Sequence, residues 1–236
     1  MVVFGVNSVL EALAAAGAHI ENVCVAGKRG NPRLQEIIDR ARERGIPVHF
    51  EPPEALTRKA GTRAHQSVIA ELSEVSLVTL DEILVTRPRR VLLLDGVEDP
   101  RNLGAVLRTA EAVGVTAVLL PQRRSCGVTP TVVRTSAGAA LHLSVGRIGN
   151  VVQALEKLKE AGYWRIGLDM RGSEDSSTID RSSPLVIVVG GEDRGLRRLV
   201  RDHCDFLVRL PMRGRVNSLN LSVAAGVLLY SLFGQD

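Results

Sequence analysis

The sequence predicts an α/β protein, a small α/β/α domain followed by a larger domain built on a parallel sheet. Three observations predict it. Short apolar runs alternate with amphipathic stretches along nearly all of the 236 residues, the pattern of β–α units. The runs of the second part are continuously apolar rather than alternating, as strands covered on both faces must be. Two of them, Leu92–Leu94 and Val186–Val189, end in glycine-containing turns that open directly into helices. Apolar content of 45% with 24% charged residues is ordinary for a globular chain. No apolar run approaches the ~20 residues needed to span a bilayer.

In order, the first part reads as a helix over Asn7–Gly17, a strand over Asn22–Ala26, a helix over Pro32–Arg44, a strand over Pro47–Phe50, a short helix from Pro53 and a strand over Ser67–Leu72. These form a domain of residues 1–75. Residues 76–88, with Ser76, Thr79, Asp81, Thr86 and Pro88 around short apolar runs, read as a linker. The second domain, residues 89–236, places strands at Val91–Leu94, Ala117–Leu120, Leu141–Val145, Trp164–Leu168, Leu185–Val189 and Phe206–Leu210. Helices are expected at Asn102–Val113, near Thr131–Gly138, at Val151–Ala161, Leu196–His203 and Leu219–Leu232. The last is apolar nearly all round, as a helix is when it is central to a core or covered by a partner subunit.

Composition limits the chemistry. Three widely spaced cysteines, Cys24, Cys126 and Cys204, suit a reducing compartment and offer neither a disulfide frame nor zinc-ligand spacing. The five histidines also lack ligand spacing, so no metal is expected. With no basic region leading into an apolar core at the amino terminus, no secretion signal is expected and the cytoplasm is the expected location. The formal net charge of +4 is unevenly divided, −2 over residues 1–86 and +6 over 87–236. The excess is mostly arginine in loops, at Arg87, Arg89 and Arg90, at Arg123 and Arg124, and at Arg213 and Arg215. The planar guanidinium binds two phosphate oxygens at once. Aromatics are only 3% of the chain, so a base-stacking platform is not expected.

Three blocks carry the chemistry. In the first, the strand Leu92–Leu94 runs through Asp95-Gly96-Val97-Glu98-Asp99-Pro100 into a helix. At 100° per residue, Leu103, Val106, Leu107, Ala110 and Gly114 share its core face, and Gly104, Arg108 and Glu111 lie on one flank. Arg108 there is either an ion-pair partner of Glu111 or a functional group. The second block, Gly190-Gly191-Glu192-Asp193-Arg194-Gly195, is either a device that brings backbone amides close to a nucleotide or cofactor or a plain strand–helix turn, and its spacing is neither that of a dinucleotide site nor that of a P-loop. In the third, Leu210-Pro211-Met212 precedes Asn217-Ser218-Leu219-Asn220-Leu221-Ser222. These four polar residues exceed what one helix cap requires.

Together, Asn102-x-Gly104-x-x-x-Arg108, Gly190-Gly191-Glu192-x-x-Gly195 and Leu210-Pro211-Met212 with Asn217-Ser218-Leu219-Asn220-x-Ser222 resemble the motifs of the SpoU (TrmH) family of RNA ribose 2′-O-methyltransferases, in the SPOUT class. The stretch Phe4–Leu13 and His65-Gln66 are similar to the substrate-binding domain of its RlmB-type subgroup. His65-Gln66-Ser67 departs from the His-Gln-Gly common there. The resemblance implies a trefoil-knotted methyltransferase domain behind a small RNA-binding domain, S-adenosylmethionine as cofactor, and a homodimer packed partly through the last helix. It places the cofactor on Gly190, Gly191, Glu192, Gly195, Leu210, Pro211, Met212, Ser218, Leu219 and Asn220. Catalysis falls to Arg108 with Asn102, Glu192, Ser218 and Asn220.

Methyl transfer to a ribose hydroxyl must remove a proton from a very weak acid, and the motifs offer no histidine for it. Arg108 then acts either as base or as an electrostatic stabiliser of the alkoxide. Glu192 either holds Arg108 or favours the sulfonium. The RlmB-type architecture points to a guanosine of 23S rRNA, with tRNA guanosine methylation and antibiotic-resistance rRNA methylation as alternatives. A non-catalytic RNA-binding or ribosome-assembly factor would not need the full motif set, and a nicotinamide-dependent oxidoreductase lacks its glycine fingerprint. Neither DNA nor a membrane is an expected partner, since only RNA carries the 2′-hydroxyl. RNA contacts are expected at Arg101, Lys28, Arg29, Arg58, Lys59 and Arg63.

Overall fold

The structure is a computed structural model and describes residues 1–15, 18–27, 31–73, 76–192, 195–216 and 218–234. In chain order its elements begin β1 (Val2–Phe4), α1 (Val6–Ala14), β2 (Ile20–Val25), α2 (Pro32–Glu43), β3 (Val48–Phe50), α3 (Pro53–Ala60), β4 (Val68–Leu72) and α4 (Leu80–Thr86). They continue with β5 (Arg90–Asp95), α5 (Pro100–Ala112), β6 (Ala117–Pro121), α6 (Pro130–Thr135), β7 (Ser144–Ile148), α7 (Val151–Glu160) and β8 (Trp164–Leu168). The last are β9 (Leu185–Gly190), α8 (Arg198–Asp202), β10 (Phe206–Val208) and α9 (Leu221–Phe233). Two compact units result, Met1–Ser76 with Val128–His142, and Leu77–Gly127 with Leu143–Asp236. Among the described residues no helix is long and apolar enough to cross a membrane.

The first unit carries a four-stranded sheet ordered β1-β4-β2-β3, with β4 antiparallel to β1 and β2 and β3 parallel to β2. The three-residue β1 is too short to leave a periodic signal. Leu34, Ile37, Ile38 and Ala41 of α2 are buried, the i, i+3, i+4, i+7 stripe of an amphipathic helix, and Asn31 caps it by accepting from Arg33 N–H at 3.1 Å. Residues 128–142, expected in the second domain, belong to this unit. Arg134 of α6 stacks 5.8 Å from the Phe4 ring centroid, and a Cβ on Gly138 would stand 2.2 Å from the Glu11 Cβ. Such contacts between distant residues leave no trace in local sequence.

The second unit holds six parallel strands in the order β10-β8-β9-β5-β6-β7. The central pair runs in register from Arg90↔Leu185 to Asp95↔Gly190, so the first two motif blocks leave the sheet side by side. Leu92, Leu93, Leu94, Val186, Ile187 and Val188 are fully buried, which accounts for the unbroken apolar runs. The expected linker is only partly one. Thr79 and Glu82 form a capping box for α4, and Ile83 enters the core beside Leu93 and Leu119. Thr79, one of the polar residues that suggested a loop, is the helix's own cap.

Other boundaries move for similar reasons. The strand expected at Leu141–Val145 begins only at Ser144, because Ala139–Leu141 closes a 3-10 turn. Pro100 stands in the first turn of α5, two residues before the expected start, and Asp99 caps that helix by accepting from Arg101 N–H at 2.7 Å. At the amino end of β8, the buried Arg165 is held by Asp205 at 2.7 Å and Glu156 at 3.1 Å. Burial alone would raise the Asp205 carboxyl, but the bonds from Arg165 outweigh it and hold it below its ordinary range.

The turn into β4 explains the His-Gln-Ser sequence. Gln66 and Ser67 sit at φ 52° and 63°. Ser67 N–H donates to His65 Nδ1 at 3.1 Å, so the ring proton is on Nε2 and faces Thr57 Oγ1 at 3.1 Å. Gln66 Oε1 accepts from Val6 N–H at 2.9 Å and ties this turn to the start of α1. Glycine tolerates the left-handed region, whereas a β-branched residue there is strained. Ser67→Gly is therefore expected to hold or raise stability, and Ser67→Val to lower it by about 1–2 kcal/mol, both read by thermal unfolding.

Candidate active site

The carboxyl end of the central strand pair is shaped by backbone packed on backbone. A Cβ on Gly190 would stand 2.0 Å from the Gly195 carbonyl carbon and 2.3 Å from Leu196 N; one on Gly191 would stand 2.5 Å from Gly96 O. Gly195, at φ 61°, donates its N–H to Gly191 O at 3.2 Å and folds the turn back on the strand. The glycines that suggested ligand contact are thus required by the fold itself. Just beyond the turn, Arg197 stays extended and grips the buried Asp95 with both arms of its fork, Nε to Oδ2 at 3.0 Å and Nη2 to Oδ1 at 2.5 Å. This is why α8 starts at Arg198 rather than at Leu196.

The three blocks meet in one hydrogen-bonded chain. Asn220 caps α9, its Oδ1 accepting from Ser222 N–H at 2.9 Å and Ser222 Oγ at 2.6 Å. The amide orientation this sets leaves Asn220 Nδ2 to donate to Asn102 Oδ1 at 3.2 Å. Asn102 Nδ2 then donates to Glu192 Oε1 at 3.1 Å. A helix cap, the start of α5 and the turn after β9 are joined in a fixed direction that ends on a carboxylate.

Glu192 is also on the wall of a cavity of about 490 Å³, a size suited to a small ligand or cofactor. Of the residues expected to hold a cofactor, Gly190, Gly191, Glu192, Gly195, Leu210, Met212, Ser218 and Leu219 line it, and Pro211 and Asn220 do not. Leu168, Asp169, Met170, Arg171, Val189, Arg201, Leu221 and Ala224 complete the lining and were missed from sequence. Asp169 and Arg201 face each other there at 3.6 Å. A signal was available: β8 is a parallel neighbour of β9, and ligands bind beyond the carboxyl ends of such strands.

Arg108 is exposed on α5, while Leu103, Gly104, Val106, Leu107 and Ala110 are buried. Among the described residues it makes no hydrogen bond or ion pair, so neither the pairing with Glu111 nor one with Glu192 is formed. It is not part of the cavity wall. Of the expected RNA contacts, Arg101, Arg58 and Arg63 are exposed. Lys59 is instead held by Glu51 at 2.7 Å and Glu71 at 3.2 Å; its bond to Glu51, against the opposing effect of burial, raises the pKa of its ammonium. Its charge is neutralised within the protein. Lys28, Arg29 and Asn217 lie outside the described residues.

Residues 89–230 match the SpoU rRNA methylase family, and residues 2–78 match the RNA 2′-O ribose methyltransferase substrate-binding family. A Bacillus subtilis protein named only as a TrmH-family tRNA/rRNA methyltransferase is 38% identical over 98% of this chain and 94% of its own. A Pseudomonas putida protein named 23S rRNA (guanosine-2′-O-)-methyltransferase RlmB is 39% identical over 99% of this chain and 96% of its own. The crystal structure of an AdoMet-bound rRNA methyltransferase from Sinorhizobium meliloti superposes with a TM-score of 0.83 at 26% identity, covering 99% of this chain and 87% of that one. Fold and site define the class, an RNA 2′-O ribose methyltransferase. The chain belongs to the SpoU rRNA methylase family.

The glycines separate two kinds of constraint. Gly190→Ala forces backbone against backbone and is expected to cost at least about 2–3 kcal/mol. Gly195 has open space beside it, so Gly195→Ala should cost only about 1 kcal/mol for its left-handed φ. Urea unfolding of both variants checks the order; equal losses would contradict the packing account.

Proposed function

We propose that the protein transfers the methyl group of S-adenosylmethionine to the 2′-hydroxyl of a guanosine in 23S rRNA. The observation that carries this reading is the chain from Ser222 through Asn220 and Asn102 to Glu192, which ends on the cavity wall. The cavity suits that cofactor. Leu168, Val189, Leu210 and Leu221 offer apolar wall, the Asp169–Arg201 pair offers both signs of charge, and the glycine turn offers backbone. Bound there, S-adenosylmethionine supplies a methyl group on a cationic sulfur. Glu192 puts a carboxylate on the wall of the cavity that would hold this cation, where it would favour the positive charge, and Asn102 fixes that carboxylate by donating to Oε1. Pro211 and Asn220 do not line the cavity; Pro211 lies between its lining residues Leu210 and Met212, and Asn220 caps α9 beside Leu219.

Arg108 acts on the ribose. A guanidinium remains protonated in proteins, so the role we assign is to orient the 2′-oxygen and stabilise the charge that grows on it as its proton leaves. It has no partner among the described residues, which leaves its donors for substrate. Residues 1–75 select the RNA, supported by the substrate-binding match over residues 2–78 and by the full-length likeness to the Pseudomonas putida enzyme. Arg58 and Arg63 are the exposed cations we assign to that contact.

The working form is a cytoplasmic homodimer. Val223, Val227 and Tyr230 are 51%, 47% and 54% exposed and stand one or two turns apart on α9, an apolar stripe suited to a second copy of this chain. The trefoil knot that the family resemblance implies within residues 89–236 is supported by the match of residues 89–230 to the SpoU rRNA methylase family.

Mapping 2′-O-methyl sites in rRNA and tRNA from a strain lacking the gene tests the substrate. Loss at one 23S rRNA guanosine is expected, and loss in tRNA instead would overturn the rRNA assignment. Restoring the gene as Arg108→Ala is expected to leave the site unmethylated, with turnover down at least about 10²–10³-fold. Calorimetric affinity for S-adenosylmethionine should stay within about threefold, since Arg108 is not on the cavity wall.

A further inference from the structure

We propose that Arg123 and Arg124, on the loop between β6 and residue 127, grip the RNA backbone beside the target ribose. The inference rests on the reading of the site as an RNA 2′-O-methyltransferase. Because β6 lies parallel beside β5, its exit loop emerges next to the turn that opens α5. Cys126 N–H donates to Val97 O at 2.8 Å, and a Cβ on Gly96 would face Arg124 O at 3.7 Å. Arg147, from β7, holds the loop from below by donating to Cys126 O at 3.1 Å and Gln122 O at 3.2 Å. One arginine thus fixes the loop that presents two others.

Arg123 and Arg124 are exposed, and among the described residues neither side chain has a hydrogen bond or an ion pair. Some arginines of this unit are engaged by the protein although, among the described residues, Arg108 is not. Arg165 and Arg197 are held by carboxylates, and Arg89 donates to Ser182 O at 2.5 Å. The neighbouring turn does contain Glu98 and Asp99, but Asp99 accepts from Arg101 N–H and neither carboxylate pairs with the loop. Arg124 sits at φ 55°, an uncommon conformation for a residue with a side chain. Two adjacent guanidiniums with no partner among the described residues, on a loop pinned to the turn that opens the Arg108 helix, suit phosphate, which the guanidinium fork binds bidentately. A chain with only 3% aromatic residues needs such contacts, since it has little with which to stack bases.

The test compares the full-length protein with Arg123→Gln/Arg124→Asn, asparagine being chosen because it tolerates the left-handed backbone. An unmodified 23S rRNA transcript serves as the probe, with binding measured by filter retention from 50 to 300 mM NaCl. Each lost phosphate contact reduces the slope of log Kd against log salt by about 0.7–0.9. The double variant is therefore expected to lower it by about 1.5, to raise the KM for RNA about tenfold and to leave kcat within about twofold. An unchanged slope and KM overturn the proposal. If the double variant does not fold, Arg123→Gln alone decides, with an expected fall of about 0.8. Phosphate contacts show in the slope whether or not this transcript is methylated. Failure of the wild type to methylate it counts against the rRNA reading alone.

Discussion

The site depends on one contact, the Gly195–Leu196 backbone lying directly on Gly190 at the end of the central strand. Any side chain at Gly190 would separate them. With the turn folded back, Arg197 reaches Asp95 across the strand pair and locks the crossing with a fork of two charged hydrogen bonds. The same fold-back directs Glu192 toward α5, where Asn102 meets it. Backbone packing comes first, and the polar geometry follows from it.

Polar groups here are divided between those satisfied by the protein and those left available. Asn220 and Asn102 are held by neighbours on both sides, which fixes their amides and points the chain at the cavity. Arg165 and Arg197 are tied to carboxylates, and Lys59 is held between Glu51 and Glu71. Arg108, Arg123 and Arg124 are not so tied among the described residues. An unpaired guanidinium on a rigid element contributes little to folding, so its placement is most simply understood through an anionic or polar substrate.

Much of the fold was legible locally. Continuous apolar strands required a two-sided parallel sheet, and the strand Trp164–Leu168 lies where the sequence placed it. Of the core face read for α5, Leu103, Val106, Leu107 and Ala110 are inside, whereas Gly114 lies exposed past the helix end and Gly104, read on the flank, is buried because it packs where no side chain intervenes. What failed were segments whose role is set by remote partners. Thr79 looks like a loop residue until, with Glu82, it caps a helix whose Ile83 is buried among strands far along the chain. Residues 128–142 looked like part of the parallel sheet's domain, yet Gly138 faces Glu11 and Arg134 stacks on Phe4. The cavity wall from β8 was missed because adjacency of β8 and β9 is a property of strand order.

By itself the sequence determined the element types, the residues that carry chemistry and the family they resemble, because period, glycine placement and motif spacing are short-range properties of the chain. Only the tertiary structure decided how those residues are used. It showed that Gly190 serves a close backbone contact, that Glu192 is bound by Asn102 rather than by Arg108, that Lys59 is paired with Glu51 and Glu71, and that Arg123 and Arg124, on a pinned loop, have no partner among the described residues. Each of these depends on which distant groups come within a few ångströms, and that is set by strand order and packing rather than by neighbours in sequence.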